Sequence, residues 1–381
     1  MTSVTAIIAT CNRADYLGEA LDSVLDQSAP PAQVIVVDDG STDATAAVLA
    51  RYGGRIEVIA QENGGKSRAL NRAMPQVRSE YVWIFDDDDI ALPDNLERHL
   101  AVLEAQPSAG FVYSGFSMIR VRRNGRIENK GRIDMPDVQE NEIFPRMLEE
   151  NFMQQQGMLV RTRCYREVGS FDDRLDRGQD YEMNLRLARH FAGKRLDTAS
   201  FVYRQHEGLR GRPGAQFAST QRGLDWIKNN RELLRRLRGE LALFEYLPRG
   251  LGAGLLDESR RRRALLQRAC VMARCALWQE ALADLVDSLV ETTPSAPLGL
   301  AELDMCRRAL GKYVQHDVAI DGLVDDRQVA NEFRRALRQS RHDDVRRIFA
   351  AALARYAWAG LRRGRAIRAA RAFALARQIA A

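Results

Sequence analysis

Tyr81-Val-Trp-Ile-Phe-Asp-Asp-Asp-Asp89 sets five consecutive apolar residues directly against four carboxylates. A run that short, apolar throughout and rich in β-branched and aromatic side chains predicts a strand buried on both faces. The acids that follow are a problem for it, because adjacent carboxylates repel and each loses hydration on burial. On an extended strand end Asp86 and Asp88 project to one side and Asp87 to the other. Two readings meet those constraints. One is a solvated acidic turn ahead of a helix starting near Pro93; the other is a hard-oxygen site for Mg2+ or Mn2+, which can bridge the phosphates of a nucleotide.

Upstream the same arrangement recurs. Val4–Ala9, Val34–Val37 and Ile56–Ala60 read as further strands, separated by helical spacing over Tyr16–Gln27, Asp43–Arg51 and Lys66–Met74. Such alternation predicts an α/β class, with a mostly parallel sheet covered by helices on both faces. Ligands of these sheets sit at the carboxyl ends of the strands. There the sequence places Thr10–Asn12, Asp38–Ser41, Gln61–Lys66 and Asp86–Asp89. Gly40 permits a tight turn, Ser41–Asp43 offers helix-capping side chains, and an Asp at a strand end can accept from a ring N–H such as that of uracil. Downstream, Phe111–Arg123 reads as a strand followed by a polar stretch to about Glu142. Gly157–Val160 and Phe201–Tyr203 read as short strands, and Phe171–Arg189 contains a helix.

Glu207–Gln216 is rich in Gly, Arg and Pro and has no periodicity, so the expected boundary divides a domain over 1–215 from one over 216–381. The second part reads as all-α, with breaks near Pro248–Gly254, Thr292–Pro297 and Gly322. Ala269–Leu289 resembles one helix-pair repeat, but no second copy follows at a fixed period. The 57 basic and 51 acidic residues are unevenly placed: 27 and 32 before residue 221, 30 and 19 from there on. From Val345 onward there are nine arginines and no acid. Val345, Ile348, Phe349, Ala352, Leu353 and Tyr356 repeat at helical spacing among them. Either that stripe turns into a helical bundle, or a basic amphipathic helix lies on anionic lipid. No nucleic-acid module is recognisable, so no nucleic-acid partner is expected.

The 45% hydrophobic and 28% charged composition argues against wholesale disorder, and no apolar run approaches the ~20 residues of a membrane span. The absence of a leader-like start and of any CxxC pair among Cys11, Cys164, Cys270, Cys275 and Cys306 predicts a reduced, cytoplasmic protein.

Five ordered segments then carry a resemblance. Ala6-Ile-Ile-Ala-Thr-Cys-Asn-Arg13, Val36-Val-Asp-Asp-Gly-Ser-Thr-Asp43, Asn63-Gly-Gly-Lys-Ser-Arg-Ala-Leu-Asn71 and Tyr81–Asp89 resemble family 2 glycosyltransferases in order and spacing. Val168-Gly-Ser-Phe-Asp172 with Gly178-Gln-Asp-Tyr-Glu182 resembles the region of that family's catalytic base. The resemblance covers about residues 3–206 and implies a GT-A fold, a Rossmann-like sheet that binds a nucleotide-diphosphate sugar and a divalent metal, Mn2+ or Mg2+. It implies that Thr10, Asn12 and Arg13 lie near the nucleotide and that Asp39, with Asp38, holds the base. Lys66 or Arg68 would approach the base or phosphates. Asp86 and Asp87 would face ribose or sugar, and Asp88 would hold the metal. His206, after Tyr203-Arg-Gln, would lie near the phosphates or metal; otherwise it is a surface histidine. Asp180 would deprotonate the acceptor hydroxyl; on the residues alone it could equally be an acidic charge at a helix N-terminus.

The implied reaction is metal-dependent, inverting transfer of a UDP-linked sugar to a glycan, lipid-linked or protein acceptor in cell-surface glycan synthesis. Peripheral contact with the inner face of an anionic membrane would suit a lipid-linked acceptor. Four departures from the family stand out: Cys11 where an aromatic is usual, Ala9 for a proline, Leu70 for an arginine, and Gln179 for the Glu before the base. No QxxRW follows Asp180, which favours single addition over processive synthesis. A sugar nucleotidyltransferase would open with a GxGTRL-type loop, which is absent. A nucleotide-sugar-binding scaffold without turnover is opposed by the retained Asp88 and Asp180.

Overall fold

The computed structural model describes residues 3–122, 124–133, 135–175, 177–206, 222–251, 256–291, 297–310 and 316–380. The chain forms two compact units: Met1–Ile143 with Asn151–Arg222, and Phe144–Glu150 with Gly223–Ala381. The Gly- and Arg-rich stretch Glu207–Gln216 lies outside the described residues.

The first unit is built on a nine-stranded sheet: β1 (Val4–Thr10), β2 (Gln33–Asp39), β3 (Glu57–Gln61), β4 (Tyr81–Asp86), β5 (Ile90–Ala91), β6 (Ala109–Val121), β7 (Ile127–Ile133), β8 (Met158–Arg161) and β9 (Ala192–His206). The order is β3-β2-β1-β4-β8-β6-β9-β5, with β7 paired to β6. Helices α1 (Ala14–Leu25), α2 (Thr45–Ala50), α3 (Lys66–Ala73), α4 (Asn95–Ala105), α6 (Thr162–Val168) and α7 (Gln179–His190) connect them, while α5 (Ile143–Glu149) continues into the second unit. The sheet is parallel across β3-β2-β1-β4, where strands and helices alternate, and again between β6 and β9. Elsewhere it is antiparallel, so the sheet as a whole is mixed. The parallel expectation holds where βα alternation holds and ends with β4.

Ile7, Ile8, Ile35, Val36, Ile84 and Phe85 are fully buried, as strands covered on both faces require. In register, Thr10 lies opposite Asp38, Ala9 opposite Asp86, and Asp39 opposite Gln61, so the polar strand ends meet at one edge. β9 is far longer than Phe201–Tyr203, and its last residue, His206, pairs with Val121 at the end of β6.

Among its described residues the second unit is helical: α5 from Phe144 onward, then α8 (Arg222–Glu240), α9 (Glu258–Arg274), α10 (Trp278–Val286), α11 (Leu300–Ala309), α12 (His316–Asp325), α13 (Arg327–Gln339), α14 (Asp343–Arg362) and α15 (Ala366–Ala380). The break expected at Gly322 is corrected: it lies inside α12. A Cβ there would come within 3.1 Å of the Ala276 methyl and 3.5 Å of the Trp278 ring, so glycine allows close packing rather than ending a helix. Val345, Phe349, Ala352, Leu353 and Tyr356 are buried, with Phe349 edge-on to Phe333 at 5.1 Å. The apolar stripe therefore faces the bundle, and the reading that lays it on lipid is corrected.

Candidate active site

At the end of β2 two adjacent acids take different positions. Asp39 is buried. Its Oδ1 accepts from Gln61 Nε2 at 2.7 Å and the Gly64 N–H at 2.8 Å, and its Oδ2 from the Gly65 N–H at 2.8 Å. Its carboxylate holds the β3–α3 loop in place. Gly40, at φ +74°, passes under that loop, where a Cβ would sit 2.8 Å from the Asn63 nitrogen. Asn63 Nδ2 donates to the Asp39 carbonyl at 2.8 Å and lies 3.1 Å from Cys11 Sγ. Asp38, by contrast, accepts the Ser41 N–H at 2.9 Å on Oδ1.

Asn12 ties the β1 end to the β2 end. It adopts φ +54°, a left-handed conformation that Asn tolerates better than most residues. Its Oδ1 accepts the Thr42 N–H at 2.8 Å, and its own N–H donates to Ser41 Oγ at 2.9 Å. The next N–H, that of Arg13, donates to Thr45 Oγ1 at 3.3 Å. Asn12 and Asp39 thus tie the polar strand ends and their loops together.

The acidic run after β4 is distributed over several elements. Asp86 is paired with Lys66 Nζ and accepts from Gln156 Nε2 at 2.5 Å. The same amide donates to Asp89 at 2.8 Å, and Asp89 also accepts the Arg204 N–H at 2.7 Å. Asp88 meets His206 Nε2 at 2.9 Å, both buried. The His206 ring stacks on Tyr16, with centroids 4.8 Å apart, and the Arg204 guanidinium lies 5.1 Å from the same Tyr16 ring. Burial, then the neighbouring Asp88 charge, pushes Asp87 up to about 7, against the pull of Arg13 and the Thr10 hydroxyl beside it. Ligand oxygens of Asp86, Asp88 and Asp89 all lie within 4.8 Å of one another. This is an acid excess that a divalent cation would relieve, with carboxylate and imidazole donors suited to Mn2+ or Mg2+. The residues fit such an ion.

Asp180 arrives from α7, one residue into the helix after Gly178 at φ +76°. Burial raises its carboxyl above the usual range, Lys66 opposes that and Asp86 adds to it. Burial likewise works against the Lys66 ammonium, yet Asp86, Asp180 and Asp87 hold it above an ordinary lysine. Lys66 is therefore the cation between the β4 acids and Asp180. Arg68 points elsewhere, its Nε 3.4 Å from the exposed Asp173. Asn71, on the same helix, exchanges hydrogen bonds of 2.9 and 2.8 Å with the Phe171 backbone and so fixes the loop that leads to Asp180.

The structure thus brings together Thr10, Arg13, Lys66, Asp86, Asp87, Asp88, Asp180 and His206. Asn12 and Asp39 brace the strand ends around them, and Arg68 lies outside. Tyr16, Gln156 and Arg204 belong to the site although no motif marks them. A Tyr six residues after the end of β1 was the one available signal for the first of them.

Residues 5–166 match the family model described as Glycosyl transferase family 2. An uncharacterized glycosyltransferase of Rickettsia typhi is 28% identical over 214 residues, 54% of this chain and 62% of that protein. The putative teichuronic acid biosynthesis glycosyltransferase TuaG of Bacillus subtilis is 37% identical over 120 residues, 30% of this chain and 47% of its own. The chain spans less than two thirds of the length of either relative. Among solved structures, S. aureus TarS 1–349 in complex with UDP-GlcNAc shares the fold at a TM-score of 0.51 and 17% identity, over 99% of this chain and 92% of that one. That fold is GT-A followed by an all-helical region.

Proposed function

We propose, from the match of residues 5–166 to the glycosyl transferase family 2 model, that the chain transfers a sugar from a UDP-linked donor to an acceptor hydroxyl, inverting the anomeric centre. The observation that carries this reading is Lys66, held between Asp86 at the end of β4 and Asp180 at the start of α7. It sets a half-buried candidate base beside the acids that follow the strand ends. Asp180 takes the proton of the acceptor hydroxyl as that oxygen attacks the anomeric carbon and the diphosphate departs. Attack from the face opposite the leaving group inverts the centre. Burial increases the basicity of Asp180, while the Lys66 charge favours its ionised form.

Asp38 accepts from the base, and Arg13 and Thr10 lie toward the diphosphate. Asp86 and Asp87 face the ribose and sugar. Asp88 and His206, with Asp86 and Asp89 nearby, would hold Mn2+ or Mg2+, which when bound supplies positive charge against that growing on the diphosphate. The UDP-GlcNAc bound to the TarS fragment and the teichuronic acid role in the name of TuaG are properties of those proteins. They support a UDP-sugar donor and a place in cell-surface glycan synthesis for this one. The missing QxxRW supports single addition to a glycan, lipid-linked or protein acceptor. Five free cysteines support a reducing, cytoplasmic setting; no helix among the described residues is long and apolar enough to cross a membrane.

The test is Asp180→Asn. Donor hydrolysis and transfer should fall about 10²- to 10⁴-fold with UDP affinity unchanged. A wild-type protein that binds nucleotide sugars but turns over none of a broad donor panel with Mn2+ would make it a scaffold instead.

A further inference from the structure

The nine arginines after Val345 do not form one basic surface. α12 presents Asp317, Asp321 and Asp325 at intervals of four, and these acids neutralise one side of the α14–α15 hairpin. Asp317 pairs with Arg363 at 2.6 Å and Arg365 at 3.0 Å, Asp321 with Arg368 at 2.8 Å, and Asp325 with Arg368 and Arg371 at 2.8 Å. The hairpin itself is tight: the Arg365 N–H returns to the Gly360 carbonyl at 2.9 Å, and a Cβ on Gly360 would meet the Ala369 methyl at 3.6 Å.

The opposite side differs. Arg355, Trp358 and Arg362 recur at i, i+3 and i+7 along α14, all exposed, and neither arginine has an acidic partner among the described residues. Trp358 is 61% exposed, its ring edge-on to Phe373 at 5.4 Å. Leu361 at 44% and Ile367 at 71% flank it at the turn. Large apolar side chains this exposed, grouped within ten residues and edged by unpaired arginines, mark an interaction surface rather than a solvated helix end.

We propose that the α14–α15 turn docks on an anionic lipid surface, with Trp358, Leu361 and Ile367 entering the headgroup layer and Arg355 and Arg362 meeting lipid phosphates. Trp suits that depth because its ring is apolar and its N–H polar. Guanidinium groups pair with phosphate, and no acid after Val345 opposes them. The contact is a tip rather than a helix laid flat, because the stripe that a flat helix would need is buried in the bundle. It stands independently of the transfer reaction.

The test uses the full chain with vesicles of phosphatidylcholine containing about 30% phosphatidylglycerol at about 50 mM salt. The protein should co-sediment, less so as salt rises, and brominated lipid should quench a tryptophan signal that Trp358→Phe removes. Arg355→Gln and Arg362→Gln should each weaken binding roughly fivefold, and Trp358→Ser with Ile367→Ser should abolish it without changing the melting temperature. No binding at low salt, equal binding to pure phosphatidylcholine, or unchanged binding by these variants would overturn the proposal. So would a dimer that Trp358→Ser converts to a monomer in a protein that ignores vesicles, since a second copy would then cover the patch.

Discussion

Asp38 and Asp39 are neighbours in sequence and alike in chemistry, yet the fold separates their work. Asp39 accepts three hydrogen bonds from the 61–65 loop and is buried. Removing it strands two backbone N–H groups and an amide. Asp39→Ala should cost about 2–4 kcal/mol of stability, seen as a lower melting temperature. Asp38→Ala should change stability by no more than about 0.5 kcal/mol but weaken UDP binding about tenfold, the size of one hydrogen bond to a charged group. Equal melting temperatures for the two variants, with UDP affinity lost only in Asp39→Ala, would return the base to Asp39. That two acids stand at this strand end was readable from the sequence. Which of the pair faces outward was not, because it depends on Gly64 and Gly65 returning from the next strand.

Elements place side chains that no local pattern announces. β9 was legible only at Phe201–Tyr203, because residues 192–200 mix Gly, Ala, Lys, Asp, Thr and Ser and look like a loop. They form a strand through pairing with β6, a tertiary cause that overrides propensity. β7 was read as part of a polar stretch for the same reason: its mostly exposed, polar residues pair with β6 at the sheet margin, and only Ile133 at its end packs against the core. β1, β2 and β4 were legible because burial on both faces leaves an unbroken apolar run, and Gln156 was not, because one amide bridging Asp86 and Asp89 has no period. The consequence is that His206 is positioned by α1 as much as by its own strand. Tyr16 stacks on it and lies under Arg204, itself paired to Glu19 at 2.5 Å. Tyr16→Ala should therefore weaken Mn2+ binding about 10- to 100-fold, as losing an orienting partner of a ligand does, while Tyr16→Phe keeps it. Calorimetric titration with Mn2+ decides this; equal affinity in all three proteins would show that His206 holds no metal.

At the scale of the molecule, the acidic first part and the basic second part mark two units, but the chain does not separate them with one cut. Phe144–Glu150 interrupts the α/β sequence and belongs with the helices. Its Met147 and Leu148 are buried, and Glu149 accepts from Arg308 Nε at 2.9 Å and Gln267 Nε2 at 2.8 Å. Glu150 pairs with Arg274 at 2.9 Å, and Arg308 also donates to Gln267 Oε1 at 3.2 Å. These partners lie more than a hundred residues downstream, which is why no composition shift near residue 144 reveals the crossing. Burial opposes the Glu149 carboxylate, and Arg308 overcomes that and holds its pKa below the usual range. Removing one side of such a pair strands the other charge, at about 3–5 kcal/mol. A protein ending at Arg222 should therefore leave Met147 and Leu148 without cover, aggregate, and be cut by protease within 144–150, where the full chain resists. Glu149→Ala in the full chain should lower the melting temperature and open the same segment to protease, whereas a charge change at the exposed Arg355 should do neither. A monomeric 1–222 fragment that resists protease at 144–150 as well as the full chain would show that the segment needs none of the helices it packs among.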